Sequence, residues 1–177
     1  MNVCNKKNYG HYWSRTLIEW GAPGPGQGGT LRGTRGNVVV DFREQIAIYV
    51  LYDGTRAPVY VGQTGSGDQR LLKRLRQHSM GQMRDRWTNF SWFGLLDANA
   101  DGNLEDGEDG IPVSLTQALT GMEAILLQII EPGLNKRGPN WGNLRVVEYL
   151  QYTERTQRTN EDIWQKLEEI RHMIEGE

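Results

Sequence analysis

The chain has 177 residues, enough for one domain with extensions, and its 20 basic and 22 acidic residues give a net charge of −2. With 37% hydrophobic and 24% charged residues it can bury a core, which excludes an intrinsically disordered protein. No apolar run is long enough for a membrane span, no signal segment is recognisable, and a single cysteine excludes an internal disulfide, so we expect a cytoplasmic protein.

Composition divides the chain into three predicted segments. Residues 1–40 are aromatic at first and then rich in glycine and proline, which is typical of an extension with a long loop. Residues 41–142 form the predicted main domain, with an acidic insertion at 97–110. Residues 143–177 form a predicted C-terminal helical extension.

Extended patterns dominate the first half of the main domain. A short strand is predicted at 38–42, and two β-rich runs, 46–52 and 57–63, flank the turn-forming pair Asp53-Gly54. Such a pair between two apolar runs predicts a β-hairpin. The run 90–96 is a third candidate strand for this domain.

Helical periodicity appears in four places. Residues 69–80 carry a leucine stripe with Asp68 as the expected N-cap, and 84–87 could add another helical turn. Residues 115–130 form the strongest predicted helix, whose apolar face would comprise Leu115, Ala118, Leu119, Met122, Leu126, Ile129 and Ile130. A last amphipathic helix is predicted near 163–174.

Basic residues concentrate in the centre of the chain. Seven lie between residues 56 and 87, against two acidic ones, so a nearly neutral average conceals a candidate surface for polyanions. The candidate nucleic-acid contacts are Gly62, Arg70, Lys73, Arg76 and Lys136. Gly62 is included because a glycine lets backbone and ligand approach closely.

A second set of polar residues has the chemistry for phosphodiester hydrolysis. Each of its members alone would usually be an ordinary structural side chain. Together they supply a phenol, a guanidinium, an imidazole and a carboxylate, which can act as base, anion stabiliser, proton relay and metal ligand. The set comprises Tyr49 and Tyr60 on the hairpin, Arg74 and His78 one helical turn apart, Glu123 at the predicted half-buried edge of the strongest helix, and Asn135 beyond its end.

These residues resemble the GIY-YIG nucleases. The two strand motifs of that family appear as Ala47-Ile48-Tyr49 and Tyr60-Val61-Gly62. The stretch from Lys73 to His78 looks like its arginine and histidine helix, and Met122 to Asn135 looks like its glutamate helix running to a downstream asparagine. The resemblance covers a little over half of the chain and depends on all four elements occurring in order.

The resemblance implies an α+β fold and a reaction. The fold would be a small three-stranded antiparallel sheet flanked by helices, and the activity would be a DNA endonuclease that uses Mg²⁺ or Mn²⁺. By the same resemblance, Tyr49 would take a proton from the attacking water, Arg74 would steady the phosphate and Glu123 would hold the metal. His78 and Tyr60 would orient groups or relay protons.

Three positions depart from the family pattern. Ala47 replaces the first glycine of the family name, and Gln63 stands where many relatives have lysine. Arg74 lies farther from Gly62 than is usual, which makes Arg70 a competing candidate for the catalytic arginine. The pair formed by Arg74 and His78 favours Arg74.

Two alternative functions remain open at the level of sequence. One is a module with this fold that binds nucleic acid without cutting it. The other is a partner-controlled effector nuclease that docks through its C-terminal helix on a second copy or on another protein. The sequence does not choose among duplex, branched or damaged DNA and RNA.

The acidic insertion has the spacing of a calcium-binding loop. Its candidate oxygen ligands are Asp97, Asn99, Asp101, Glu105 and Glu108, with Gly102 at the tight turn. The residues before the loop read as a strand, whereas the usual calcium loop follows a helix. A structural Ca²⁺ site and a solvated acidic insertion therefore stand as alternatives.

Overall fold

The computed structural model describes residues 6–22, 28–65, 68–105, 115–130, 138–141, 145–153, 163–168, 170–171 and 173. The elements within these ranges follow one another in an irregular alternation of strands and helices. They are β1 (Lys6–Ser14), β2 (Arg32–Arg35), β3 (Val38–Asp41), β4 (Ala47–Tyr52), β5 (Pro58–Gln63), α1 (Leu71–His78), β6 (Asn89–Gly94), β7 (Asp97–Ala98), β8 (Leu104–Glu105), α2 (Leu115–Ile130), β9 (Arg145–Glu148) and β10 (Leu150–Gln151).

The central sheet has five strands in the order β5-β4-β6-β1-β9. Each of the strands β5, β4, β6 and β1 runs antiparallel to its neighbour in this order, whereas β9 runs parallel to β1. The mixed α+β class is confirmed, and the three predicted main-domain strands adjoin one another as β5-β4-β6. The prediction of a three-stranded sheet is wrong, because β1 and β9 extend it on the side of β6.

Strand β1 escaped prediction because its pattern is interrupted. Its pairing with β6 shifts register between Gly10 and Trp13, so side chains before and after the shift do not alternate in one regular period. The strand nevertheless lies inside the sheet, hydrogen-bonded to β6 on one side and to β9 on the other.

A second, smaller sheet with the order β10-β2-β3 packs against the central one through aromatic side chains. The ring centroid of Phe42, which directly follows β3, lies 4.4 Å from that of Trp92. Trp13 meets Trp92 edge-on at 5.4 Å. All three rings are buried, so the core joins residues that are far apart along the chain.

Helix α1 covers one face of the central sheet, which we call the α1 face. Alternation along β4 directs Tyr49 and Leu51 to this face. The predicted leucine stripe is confirmed, since Leu71, Leu72 and Leu75 are all buried. The helix begins later than predicted, with Arg70 at the N-cap position and no side-chain cap.

Asp68, the predicted cap, instead forms an ion pair with Lys73. The next helical segment is a short 3-10 turn at Gly81–Met83, which precedes the predicted position at 84–87.

Helix α2 lies on the opposite face of the central sheet. Gly121 and Ile125 line a cavity of about 280 Å³ together with Ile48 and Phe93, whose side chains alternate away from the α1 face. Ala124 is fully buried. The inward side of α2 thus comprises Gly121, Ala124 and Ile125.

The apolar face predicted for α2 is therefore wrong at three of its four described side chains, whereas the fourth, Ile129, is half-buried. Met122, Leu126 and Ile130 are between 54% and 61% exposed. The C-terminal helix is confirmed over residues 163–168, and its apolar residues Ile163 and Leu167 are each half exposed. None of the helices within the described ranges is long and apolar enough to cross a membrane.

Candidate active site

The β4-β5 hairpin brings two tyrosines and a glycine together. Tyr49 pairs with Gly62, and Leu51 pairs with Tyr60, so all of these residues share the α1 face. A Cβ atom on Gly62 would lie 2.4 Å from the Tyr49 hydroxyl oxygen and 2.8 Å from a ring carbon of Tyr60. Only glycine leaves room for the Tyr49 ring to lie across the neighbouring strand.

Helix α1 completes the arrangement with His78 and Arg74. The Tyr49 hydroxyl oxygen is 2.8 Å from Nε2 of His78, and the rings of Tyr60 and His78 have centroids 4.5 Å apart. Arg74 is close enough for its charge to act on both Tyr49 and His78. We call Tyr49, Tyr60, Arg74 and His78 the tyrosine–histidine cluster.

The environment sets the protonation of the two hydrogen-bonded groups. Burial raises the pKa of Tyr49, and the hydrogen bonding and charge of Arg74 partly oppose this rise. Burial lowers the pKa of His78, and the nearby Arg74 lowers it further. At neutral pH the phenol is therefore protonated and the imidazole is neutral. In the tautomer of His78 that carries its proton on Nδ1, the Tyr49 hydroxyl donates to Nε2.

Two residues that sequence reasoning did not select position the cluster. Gln77 accepts a hydrogen bond of 2.6 Å from Nη1 of Arg74 through its side-chain oxygen, and its nitrogen donates to the side chain of Gln69 at 3.2 Å. Trp87, 1% exposed, donates from Nε1 to the His78 carbonyl oxygen at 3.1 Å. The i, i+3 spacing of Arg74 and Gln77 was a usable signal, whereas Trp87 follows a loop whose course the sequence does not indicate.

The structure does not bring Glu123 to the cluster. Glu123 is exposed, so the prediction of a half-buried carboxylate is wrong. Two residues along a helix correspond to about 200° of rotation, which places Glu123 on the side of α2 away from Gly121. Gly121 itself faces the sheet surface opposite the α1 face. The predicted residues Asn135 and Lys136 lie outside the described residues.

A catalytic metal at the cluster is not supported by its donor set. Its side chains are two phenols, a guanidinium and an imidazole, whereas Mg²⁺ and Mn²⁺ prefer carboxylate oxygen. Within the described ranges, no group of three or more His, Cys, Asp or Glu residues is arranged to hold a metal ion. Glu123 is a lone carboxylate on another element, so these residues do not fit the implied metal.

The acidic insertion forms a small hairpin of β7 and β8 over the described part of its sequence. The Asn99 side-chain oxygen accepts hydrogen bonds from the backbone nitrogens of Asp101 and Asn103, at 3.0 and 2.9 Å. The Asn99 side-chain nitrogen donates to Glu105. Asp97 lies 3.8 Å from Nζ of Lys7, and Glu108 is outside the described residues. Structural Ca²⁺ stays a prediction.

Comparisons with known proteins give no relative. No family model matches the chain, and neither does any curated protein or solved structure. The likeness to GIY-YIG nucleases therefore depends on the motif residues of the sequence.

Proposed function

We propose that the protein is an endonuclease that hydrolyses phosphodiester bonds in DNA at the tyrosine–histidine cluster. The observation that carries this proposal is the 2.8 Å hydrogen bond between Tyr49 and His78. It links a protonated phenol to a neutral imidazole beside the guanidinium of Arg74. This is a proton-transfer pair next to a group suited to an anionic substrate.

The proposed reaction uses Tyr49 as a relay and His78 as the base. A water oxygen forms a bond to phosphorus while the bond from phosphorus to the leaving oxygen breaks, and the leaving oxygen keeps the electron pair and takes a proton from solvent water. The water proton passes to the Tyr49 hydroxyl as the tyrosine proton passes to Nε2 of His78. Because His78 takes up the charge, no tyrosinate is required, which suits a phenol whose pKa burial has raised.

Arg74 and Tyr60 have supporting roles in this reaction. The Arg74 guanidinium would stabilise negative charge on the phosphate oxygens as the pentacovalent transition state forms. Tyr60 packs against the imidazole and limits the orientations of His78. No step is assigned to Mg²⁺ or Mn²⁺, because Glu123 is not placed beside these groups.

A DNA-binding module without cleavage is the second candidate. The exposure of Glu123 on the far side of the sheet favours it, because a carboxylate-bound metal is the part of the implied nuclease site that the described residues do not assemble. The two functions differ in one measurable respect. Both predict binding, and only the nuclease predicts strand scission.

The test compares wild type with Tyr49→Phe and His78→Gln in parallel cleavage and gel-shift assays. Tyr49→Phe removes the hydroxyl from a buried site and keeps the ring over Gly62. We expect either substitution to lower the cleavage rate by about 10²–10⁴-fold, the usual contribution of general acid–base catalysis.

DNA binding should persist in both variants, since the basic side chains are unchanged. Arg74→Gln should lose cleavage even at saturating DNA. Arg70→Gln, at the competing arginine, should weaken DNA binding and keep the cleavage rate at saturating DNA. Cleavage that survives in Tyr49→Phe would refute the relay. A wild-type protein that binds DNA and leaves it intact under all divalent metals tested would establish the binding module instead.

A further inference from the structure

A basic groove runs along the flank of α1 on the side away from His78. It has a volume of about 750 Å³, and its cationic lining comprises Arg43, Arg70, Lys73 and Arg76. The acidic lining residues are Glu44 and Asp68. Cations therefore outnumber acids in the lining by two, in a chain whose net charge is negative.

Gln77 connects this groove to the tyrosine–histidine cluster. Its side chain lines the groove and also accepts the 2.6 Å hydrogen bond from Arg74. Groove and cluster thus meet across a single exposed residue on α1. A strand whose phosphate lay against Arg74 could continue past Gln77 into the groove.

Two of the four groove cations, Lys73 and Arg43, are paired with carboxylates that a polyanion can replace, whereas Arg76 donates to the Trp20 carbonyl oxygen. Lys73 pairs with Asp68, and Nε of Arg43 lies 2.7 Å from a carboxylate oxygen of Asp41. These side chains are between 25% and 81% exposed, and ion pairs at such sites contribute little to stability. Exchanging a carboxylate for a phosphate therefore costs little.

Residues 28 and 29 form the other wall of the groove. A Cβ on Gly29 would collide with the Glu19 carbonyl oxygen at 1.8 Å, so the backbone passes there without side chains. Gly28 is exposed, and a Cβ on it would meet the mobile end of Arg43 at 2.9 Å. A wall of bare backbone opposite a row of cations suits the phosphate backbone of a nucleic acid.

We propose that this groove binds the phosphate backbone of the DNA strand on one side of the scissile phosphate, with Arg43 as a contact that sequence reasoning did not select. The inference deepens the proposed function, because it supplies the path of the substrate beyond the reacting phosphate. Contacts of this kind are independent of base sequence.

The experiment measures duplex DNA affinity as a function of salt, in the full chain. Arg43→Gln with Lys73→Gln should reduce the slope of log affinity against log salt by about 1.8, at about 0.9 per phosphate contact. The matched control is Arg35→Gln with Arg56→Gln, which removes the same charge from exposed positions outside the groove. Its slope should stay that of wild type.

A second pair of variants adds charge without removing a side chain. Gly28→Glu introduces a carboxylate at the groove wall and should weaken binding several-fold. Gly54→Glu makes the same change at the β4-β5 hairpin, where a Cβ has nothing within 4 Å, and should leave binding unchanged. Thermal unfolding of the two double variants and the two glycine variants checks that each retains its fold.

Equal effects of the groove variants and their controls, or no effect of either, would overturn the proposal. Cleavage by wild type tests the proposed function separately. Specific effects at the groove without cleavage would leave the groove standing and refute the nuclease. Cleavage by wild type, together with an unchanged salt slope in the groove variants, would refute the groove and leave the nuclease standing.

Discussion

The protonation of His78 is the residue-scale property on which the proposed relay depends. An imidazole whose folded pKa is depressed binds fewer protons in the folded state than in the unfolded state below about pH 6.5, the ordinary histidine pKa. Protonation therefore favours unfolding. The contribution of His78 to stability is present above that pH and is lost as the pH falls through the lowered folded value.

We predict that the free energy of unfolding decreases more steeply below about pH 6.5 in wild type than in His78→Gln, because glutamine does not titrate in this range. Denaturant titrations at a series of pH values measure the difference. Identical pH profiles for wild type and His78→Gln would contradict a depressed His78 pKa.

Residue-scale geometry was partly predictable from the sequence. Arg74 and His78 had to share a helix side because they are four residues apart, and Tyr49 and Tyr60 had to lie on paired strands because a turn separates their runs. The contact of the Tyr49 hydroxyl with His78 was not predictable. It requires the docking of α1 on β4, which a local pattern does not encode.

At the scale of elements, α2 shows why a periodic pattern alone does not identify the buried face. Both sides of this helix carry apolar or small residues, so the stripe with Met122 and Leu126 was a reasonable choice. Gly121 and Ala124 lie on the other side, and that side is the one buried. Because Gly121 and Ala124 are on the buried side of the helix, Glu123 lies on its exposed side.

The exposure of Glu123 leads to a prediction opposite to that of the family resemblance. If Glu123 held an essential metal, Glu123→Gln would abolish cleavage. Its placement on the outer side of α2 instead predicts less than about a tenfold change in rate, equivalent to under about 1.4 kcal/mol. The free energy of unfolding should change by less than about 0.5 kcal/mol, as for most surface substitutions.

Cleavage rates of wild type and Glu123→Gln at saturating Mg²⁺ distinguish these outcomes. Glu105→Gln, in the acidic hairpin, controls for the loss of one negative charge. A loss of cleavage of a thousandfold in Glu123→Gln alone, with DNA binding intact, would restore Glu123 as the metal ligand and overturn its assignment as a surface residue.

For the whole molecule, the first strand and the last helix differ in how they relate to the central sheet. The segment 143–177, predicted to be helical, begins instead with the strands β9 and β10. Strand β1 lies between β6 and β9 and carries Trp13, which is 2% exposed and packs on Trp92. Trp13 also donates from Nε1 to the Tyr149 carbonyl oxygen at 3.0 Å. The helix at 163–168 lies outside the sheets, and its apolar residues are half exposed. These facts predict opposite effects of truncation.

Deletion of residues 1–14 should prevent folding. It removes an interior strand and the backbone hydrogen bonds on both sides of it. It also leaves a cavity where Trp13 packs, and loss of the Trp13 side chain alone would lower the free energy of unfolding by about 3–5 kcal/mol. Summed with the lost pairing, this cost is comparable with the whole stability of a domain, about 5–15 kcal/mol.

Deletion of residues 163–177 should leave the cooperative unfolding transition in place, because the described part of that helix buries little apolar surface. Circular dichroism melts of the two truncated proteins measure this contrast. A cooperative transition after loss of residues 1–14 would show that the sheet closes without β1.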